Sequence, residues 1–194
     1  TNVNEGVTTT VADAMPTRID RTVPLNILVI GDSTAENIAT ALAGASDGNL
    51  GVISGGVLGC PLLKVAFVRD RKDSQQDVAY CPDNEQLVRD HVADVDAVVI
   101  VAGVANQWAF QYADSDVWIE PGSDQYKTDL DQFLFNIEDI VAPYGLPVLV
   151  FETPPVRDNP KILGDDISAL VRWANVIAEW DATWHSVKMV PYAD

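Results

Sequence analysis

Positive charge is scarce in this sequence: 12 Lys and Arg stand against 29 Asp and Glu, a net charge of −17 over 194 residues. Such an excess excludes binding to nucleic acid or anionic membrane through bulk electrostatics. It fits a highly soluble protein whose self-repulsion is screened in a salty environment. Long apolar runs are missing as well. No stretch approaches the roughly 18–20 uninterrupted apolar residues of a membrane helix, and no signal peptide is visible. There is no metal-ligand spacing and no phosphate-cradling Gly-x-x-x-x-Gly-Lys, so neither metal nor cofactor is expected. Histidine and cysteine are represented by two residues each.

Cys60 and Cys81 flank a polar stretch that includes "VRDRKDSQQDVAY". A disulfide between them would close a loop of about 21 residues and stabilise by roughly 3 kcal/mol in the chain-entropy model. Two unrelated free thiols are the other reading. A bridge would place the protein outside the cytosol.

What remains is ordinary globular material, 47% hydrophobic and 21% charged, enough for one domain with a sizeable core. Residues 1–24 are Thr-rich, broken by Pro16 and Pro24 and without a period; they read as a linker or tether to a domain spanning 25–194. From there apolar strands alternate with helices. Strands are expected at 25–31 (LNILVIG), 50–54 (LGVIS), 95–103 (VDAVVIVAG), 147–151 (PVLVF) and in 186–194 (SVKMVPYAD). Helices are expected at 35–44, 83–92 (opened by Asp83 or Asn84), 123–142 and 165–184, with an irregular Trp-containing loop before the third. This alternation predicts an α/β fold, a doubly wound three-layer sandwich around a five-stranded parallel sheet of flavodoxin-like order. Ligands in such folds sit beyond the carboxyl ends of the strands.

The loops at that edge carry groups suited to acyl transfer. Ser33, in "ILVIGDSTA", follows the first strand and stands where the next helix begins, beside unpaired N–H groups and the positive end of the helix. The same serine is also a good helix cap, so nucleophile and cap are both open from the residue alone. Gly55, Gly56 and Gly59 follow the second strand and allow close backbone approach to a substrate oxygen. Asn106 follows the third strand and offers a side-chain amide donor. Asp32 reads as a residue that orients the serine turn.

Together "VIGDSTA", "ISGGVLG" and "VIVAGVANQW" resemble the first three blocks of the GDSL, or SGNH, hydrolases. With "SGGVLGCPLL", a later cysteine and "TPPVR", the chain looks like the SGNH domain fused to membrane acyltransferases that O-acylate cell-surface polysaccharides. The similarity spans residues 25–194. It implies Ser33 as nucleophile, the N–H groups of Ser33 and Gly59 with the Asn106 amide as oxyanion hole, and pairing of Cys60 with Cys81. It also implies an extracytoplasmic location, an acyl-ester or carbohydrate substrate, and a membrane acyltransferase domain as partner.

Two departures from the family pattern stand out. The third block carries one extra residue, Gly103-Val104-Ala105-Asn106, so either Asn106 or Ala105 falls at the donor position. The Asp-x-x-His of the last block, which supplies the base, is absent. Its nearest match, Asp181-Ala-Thr-Trp-His185, is one residue too long and closes a helix whose end lies at the amino edge of the sheet. Asp181 and His185 therefore read as a local structural pair, and His91 is placed at the same wrong edge by the same argument. One expectation is that the natural protein continues past Asp194 with its base; the other is a degenerate glycan-binding module that kept the pocket. Trp108 sits at the carboxyl edge as a substrate contact or, equally, as a core plug, and Arg157 reads there as a solvated loop arginine before a substrate contact. Trp118 has the same two readings. A flavodoxin-like or receiver-like regulatory domain is disfavoured, since the residues its site requires are not at the ends of strands 1 and 3.

Overall fold

The computed structural model describes residues 23–70, 73–151 and the strand 187–190. Five strands form one parallel sheet: β1 (Leu25–Gly31), β2 (Leu50–Ser54), β5 (Ala97–Val101), β7 (Val148–Phe151) and β8 (Val187–Val190). Their spatial order is β2-β1-β5-β7-β8, which is the expected flavodoxin-like order, and every neighbouring pair is parallel. Helices α1 (Ser33–Ala45), α2 (Asn84–His91) and α3 (Asp124–Val141) cover it. The expected last helix, 165–184, lies outside the described residues, as do residues 1–22 of the expected tether 1–24.

Side chains of a strand alternate between sheet faces, and the core divides accordingly. Leu28, Ile30, Val98, Ile100, Val148 and Val150 belong to one cluster, packed with Val88 of α2 and Leu130, Phe133, Leu134, Ile137 and Val141 of α3. Ile27, Val29, Ala97, Val99 and Val101 face the other way, onto Ala35 and Ala39 of α1. Both faces are buried, which is why these strands read as continuous apolar runs. Asp83, one of the two expected caps, accepts from the Gln86 N–H at 3.1 Å, and Ser123, expected as the first residue of its helix, caps it by accepting from the Tyr126 N–H at 3.2 Å.

The structure adds a second sheet. β3 (Phe67–Arg69) pairs antiparallel with both β4 (Gln75–Asp77) and β6 (Ala109–Gln111). The segments read from sequence as a polar stretch and an irregular loop are thus joined into one three-stranded sheet. These strands are three residues long, and β4 is wholly exposed, so neither length nor alternation announces them. Cys60 and Cys81 form a disulfide enclosing β3 and β4. Lys64 Nζ donates to the carbonyls of Ala79 and Cys81 and closes the same loop a second time.

Candidate active site

In register across the sheet, Gly31 lies beside Val101, Val101 beside Phe151 and Phe151 beside Val190, so these residues mark the carboxyl edge. The turn carrying Ser33 leaves β1 there. Gly31 has φ +143°, and a Cβ on it would lie 1.9 Å from the Val101 carbonyl oxygen. The strand can therefore turn only with glycine at this point. Asp32 follows as the N-cap of α1, its Oδ1 accepting the Thr34 N–H at 2.8 Å. The cap is Asp32 and not Ser33, because the helix begins at Ser33, two residues before the expected start at 35. Ser33, half-buried in the first helical position, is released from capping. No group among the described residues bonds its hydroxyl, and its N–H is one of the unpaired donors of the helix start.

Asp32 does more than cap. Its Oδ2 accepts the Ala105 N–H at 3.1 Å, tying the turn after β1 to the 3-10 turn Val104–Gln107 after β5. The carboxylate is 1% exposed. Burial pushes its pKa above the ordinary 3.8, opposed by hydrogen bonds from Thr34, Ala105 and Gly103. Gly103 is forced by this contact: a Cβ there would fall 2.1 Å from Thr34 Oγ1 and 2.3 Å from Asp32 Oδ1.

The glycine segment after β2 lies on the same turn. The Val57 N–H donates to the Gly31 carbonyl at 3.2 Å, and a Cβ on Gly56 would come within 2.4 Å of the Glu36 nitrogen in the first turn of α1. The three glycines have separate tasks. The Gly55 N–H is consumed by the Val29 carbonyl at 2.7 Å, Gly56 permits close approach, and Gly59 takes the left-handed φ of +75°. Open space surrounds the place of a Gly59 Cβ, and no described group accepts its N–H.

Asn106 is 5% exposed. Its Oδ1 accepts the Leu62 N–H at 2.7 Å, and its carbonyl accepts the Tyr126 hydroxyl. The Leu62 carbonyl in turn accepts Asn84 Nδ2 at 2.8 Å, so two asparagines hold the chain just after Cys60. Asn106 Nδ2 is buried without a partner among the described residues. An orphaned donor is costly unless something bonds it at work.

Trp108 is half-buried against the main core. Trp118 lies under the Arg69 guanidinium, 4.6 Å from its ring centroid, while Arg69 also pairs with Glu120. His91 ends α2, ahead of β5, at the amino edge of the sheet, away from Ser33. Arg157, Asp181 and His185 lie outside the described residues. Sequence reasoning missed Gln107, which is 4% exposed with both amide atoms unpaired among the described residues. Its only sequence signal was its place beside Asn106. It also missed the fit demanded at Gly103, for which a glycine closing an apolar strand was the available signal.

Among the described residues no helix is long and apolar enough to cross a membrane. A search of curated proteins finds no match. Residues 8–187 match the family described as SGNH domain (fused to AT3 domains), a hydrolase- or acyltransferase-like module. This agrees with the parallel sheet, the Gly-Asp-Ser turn and the disulfide: the chain belongs to the SGNH domain family fused to AT3 domains.

Proposed function

We propose that the chain is an extracytoplasmic serine esterase or O-acyltransferase domain acting on acyl esters of carbohydrates. Ser33 Oγ attacks the ester carbonyl carbon, and the carbonyl oxygen takes up the negative charge. That charge is stabilised by the N–H groups of Ser33 and Gly59 and by Asn106 Nδ2. The alcohol leaves with a proton, and the acyl group passes from Ser33 to water or to a second hydroxyl. The observation that carries this reading is the Asn106 amide, anchored through Oδ1 on Leu62 while Nδ2 is buried and unpaired among the described residues. Such an arrangement supports a donor reserved for an oxygen the free protein does not contain.

The fusion to AT3 domains in the family supports a membrane acyltransferase partner, and the carbohydrate rests on the resemblance to domains that O-acylate cell-surface polysaccharides. The disulfide supports a location outside the cytosol. The unit consists of a tether, 1–24, and a domain beginning at residue 25. One observation favours a second reading, a glycan-binding module without catalysis: His91, the described histidine, stands at the edge opposite Ser33. A fluorophosphonate probe separates the two. Labelling of the full-length protein that disappears in Ser33→Ala supports the enzyme, and no labelling of the full-length protein leaves only the binding module.

A further inference from the structure

Gln107 is 4% exposed, and neither Nε2 nor Oε1 has a hydrogen-bond partner among the described residues. A buried amide unpaired at both ends lowers stability, since it gives up water and receives nothing in return. The residue is nevertheless firmly placed. It closes the 3-10 turn Val104–Gln107, which is held by the Ala105 N–H on Asp32 and the Tyr126 hydroxyl on the Asn106 carbonyl. Immediately after it, Trp108 packs on the core and β6 begins at Ala109. A slack loop would let the amide turn outward, but this backbone is fixed on both sides.

Successive side chains in a 3-10 turn diverge by about 120°. Gln107 therefore leaves the turn in a different direction from Asn106 and does not duplicate it as an oxyanion donor, although both lie in the turn that follows β5 at the carboxyl edge. An amide presents a donor and an acceptor side by side. Its complement is a hydroxyl, or a pair of neighbouring hydroxyls, able to accept from Nε2 and donate to Oε1. The alcohol part of a simple alkyl ester has no donor to offer; a sugar has several.

We infer that Gln107 is a specificity-determining residue that hydrogen-bonds free hydroxyls in the alcohol part of the ester, selecting polyhydroxylated esters over plain ones. This rests on the reading that an acyl ester occupies the carboxyl edge. A site built around buried polar groups rejects an analogue that leaves them unpaired.

The test uses the full-length protein carrying Ser33→Ala, so that esters bind without turnover. Dissociation constants are measured by NMR titration for a methyl O-acetylglucoside and for the same ester with its free hydroxyls methylated. With Gln107 present, methylation weakens binding by about tenfold or more. With Gln107→Met, which keeps length and removes both polar atoms, that ratio falls towards one. An unchanged ratio, or no saturable binding of either ester, overturns the proposal. Thermal unfolding gives a second readout: Gln107→Met raises Tm by about 2–4 °C, because the orphaned amide is gone. A fall in Tm would show an amide bonded within the folded protein and would also overturn it. Labelling of Ser33 is read separately. Intact labelling with an unchanged ratio removes the role of Gln107 alone, and absent labelling with a collapsing ratio removes the nucleophile alone.

Discussion

Asp32 and Ala105 meet across two adjacent strands, the Ala105 N–H donating to Asp32 Oδ2 at 3.1 Å. The same carboxylate holds the Thr34 N–H at 2.8 Å through its other oxygen. The flanking positions, Ser33 and Asn106, are the proposed nucleophile and the proposed amide donor. A single buried carboxylate thus sets the distance between two turns that the sequence separates by 73 positions.

The state of that carboxylate gives the first prediction. Burial raises the pKa of Asp32 above 3.8, so the native state holds its proton to higher pH than the unfolded chain does. The stability associated with the protonated group is then fully present below the unfolded pKa and is lost as pH rises through the folded one. Urea melts of wild type and Asp32→Asn at several pH values between 3 and 7 isolate this group, because other titrations cancel in the difference. The advantage of wild type over the variant should shrink as pH rises; a difference that grows with pH contradicts the assignment.

Two glycines at the same rim should respond differently to the same substitution. A Cβ at Gly103 would collide with Thr34 Oγ1 at 2.1 Å and with the Asp32 carboxylate, which is fixed by its own bonds. Gly103→Ala should cost on the order of 1–3 kcal/mol by overpacking. Gly59 has φ +75° and free space around the Cβ position, so Gly59→Ala carries only backbone strain, about 1–2 kcal/mol. Denaturant midpoints check the order. Probe labelling should fall furthest in Gly103→Ala, which displaces the serine turn itself.

Asn106→Asp tests the amide while keeping the anchor. An aspartate oxygen can still accept the Leu62 N–H that Oδ1 accepts at 2.7 Å. The second oxygen replaces the Nδ2 donor and would repel a developing oxyanion. The turnover number on an ester substrate should fall by about 10²–10³-fold, as for loss of one oxyanion donor. A loss below tenfold would remove Asn106 from that role.

Reduction of Cys60–Cys81 should lower stability by roughly 3 kcal/mol, from a closed loop of about 21 residues. Thermal scans with and without reductant, compared with Cys60→Ser/Cys81→Ser, give the number. The ester-hydrolysis rate should fall as well, since Leu62, two residues past Cys60, positions Asn106.

The strands of the parallel sheet and three of the helices were legible because runs such as LNILVIG and AVVIV are long and buried enough to impose a pattern. LGVIS at 50–54 and LNILVIG at 25–31 were found with the bounds they have in the structure. FVR, QQD and AFQ could not be read, since three residues carry no period and their pairing is non-local. The cap was ambiguous for a local reason: Asp and Ser are both good caps, and only backbone geometry decides between Asp32 and Ser33. The extra residue in the third block was ambiguous in the same way. In the structure the Ala105 N–H is spent on Asp32, and the side chain left with a spare donor is Asn106. Gln107 was invisible because a buried, unbonded glutamine differs from a solvated one only in its surroundings.

The pairing of β3 with β6 has a consequence for how this rim can change. β3 belongs to the connection after β2, which carries Gly59, and β6 to the connection after β5, which carries Asn106. Loops that evolve freely are usually independent of one another. Here they are woven together, so an insertion in either would shift the register of the weave and be felt at two of the three proposed oxyanion donors, Gly59 and Asn106. Variation in this corner must therefore proceed by exchanging side chains on a fixed frame.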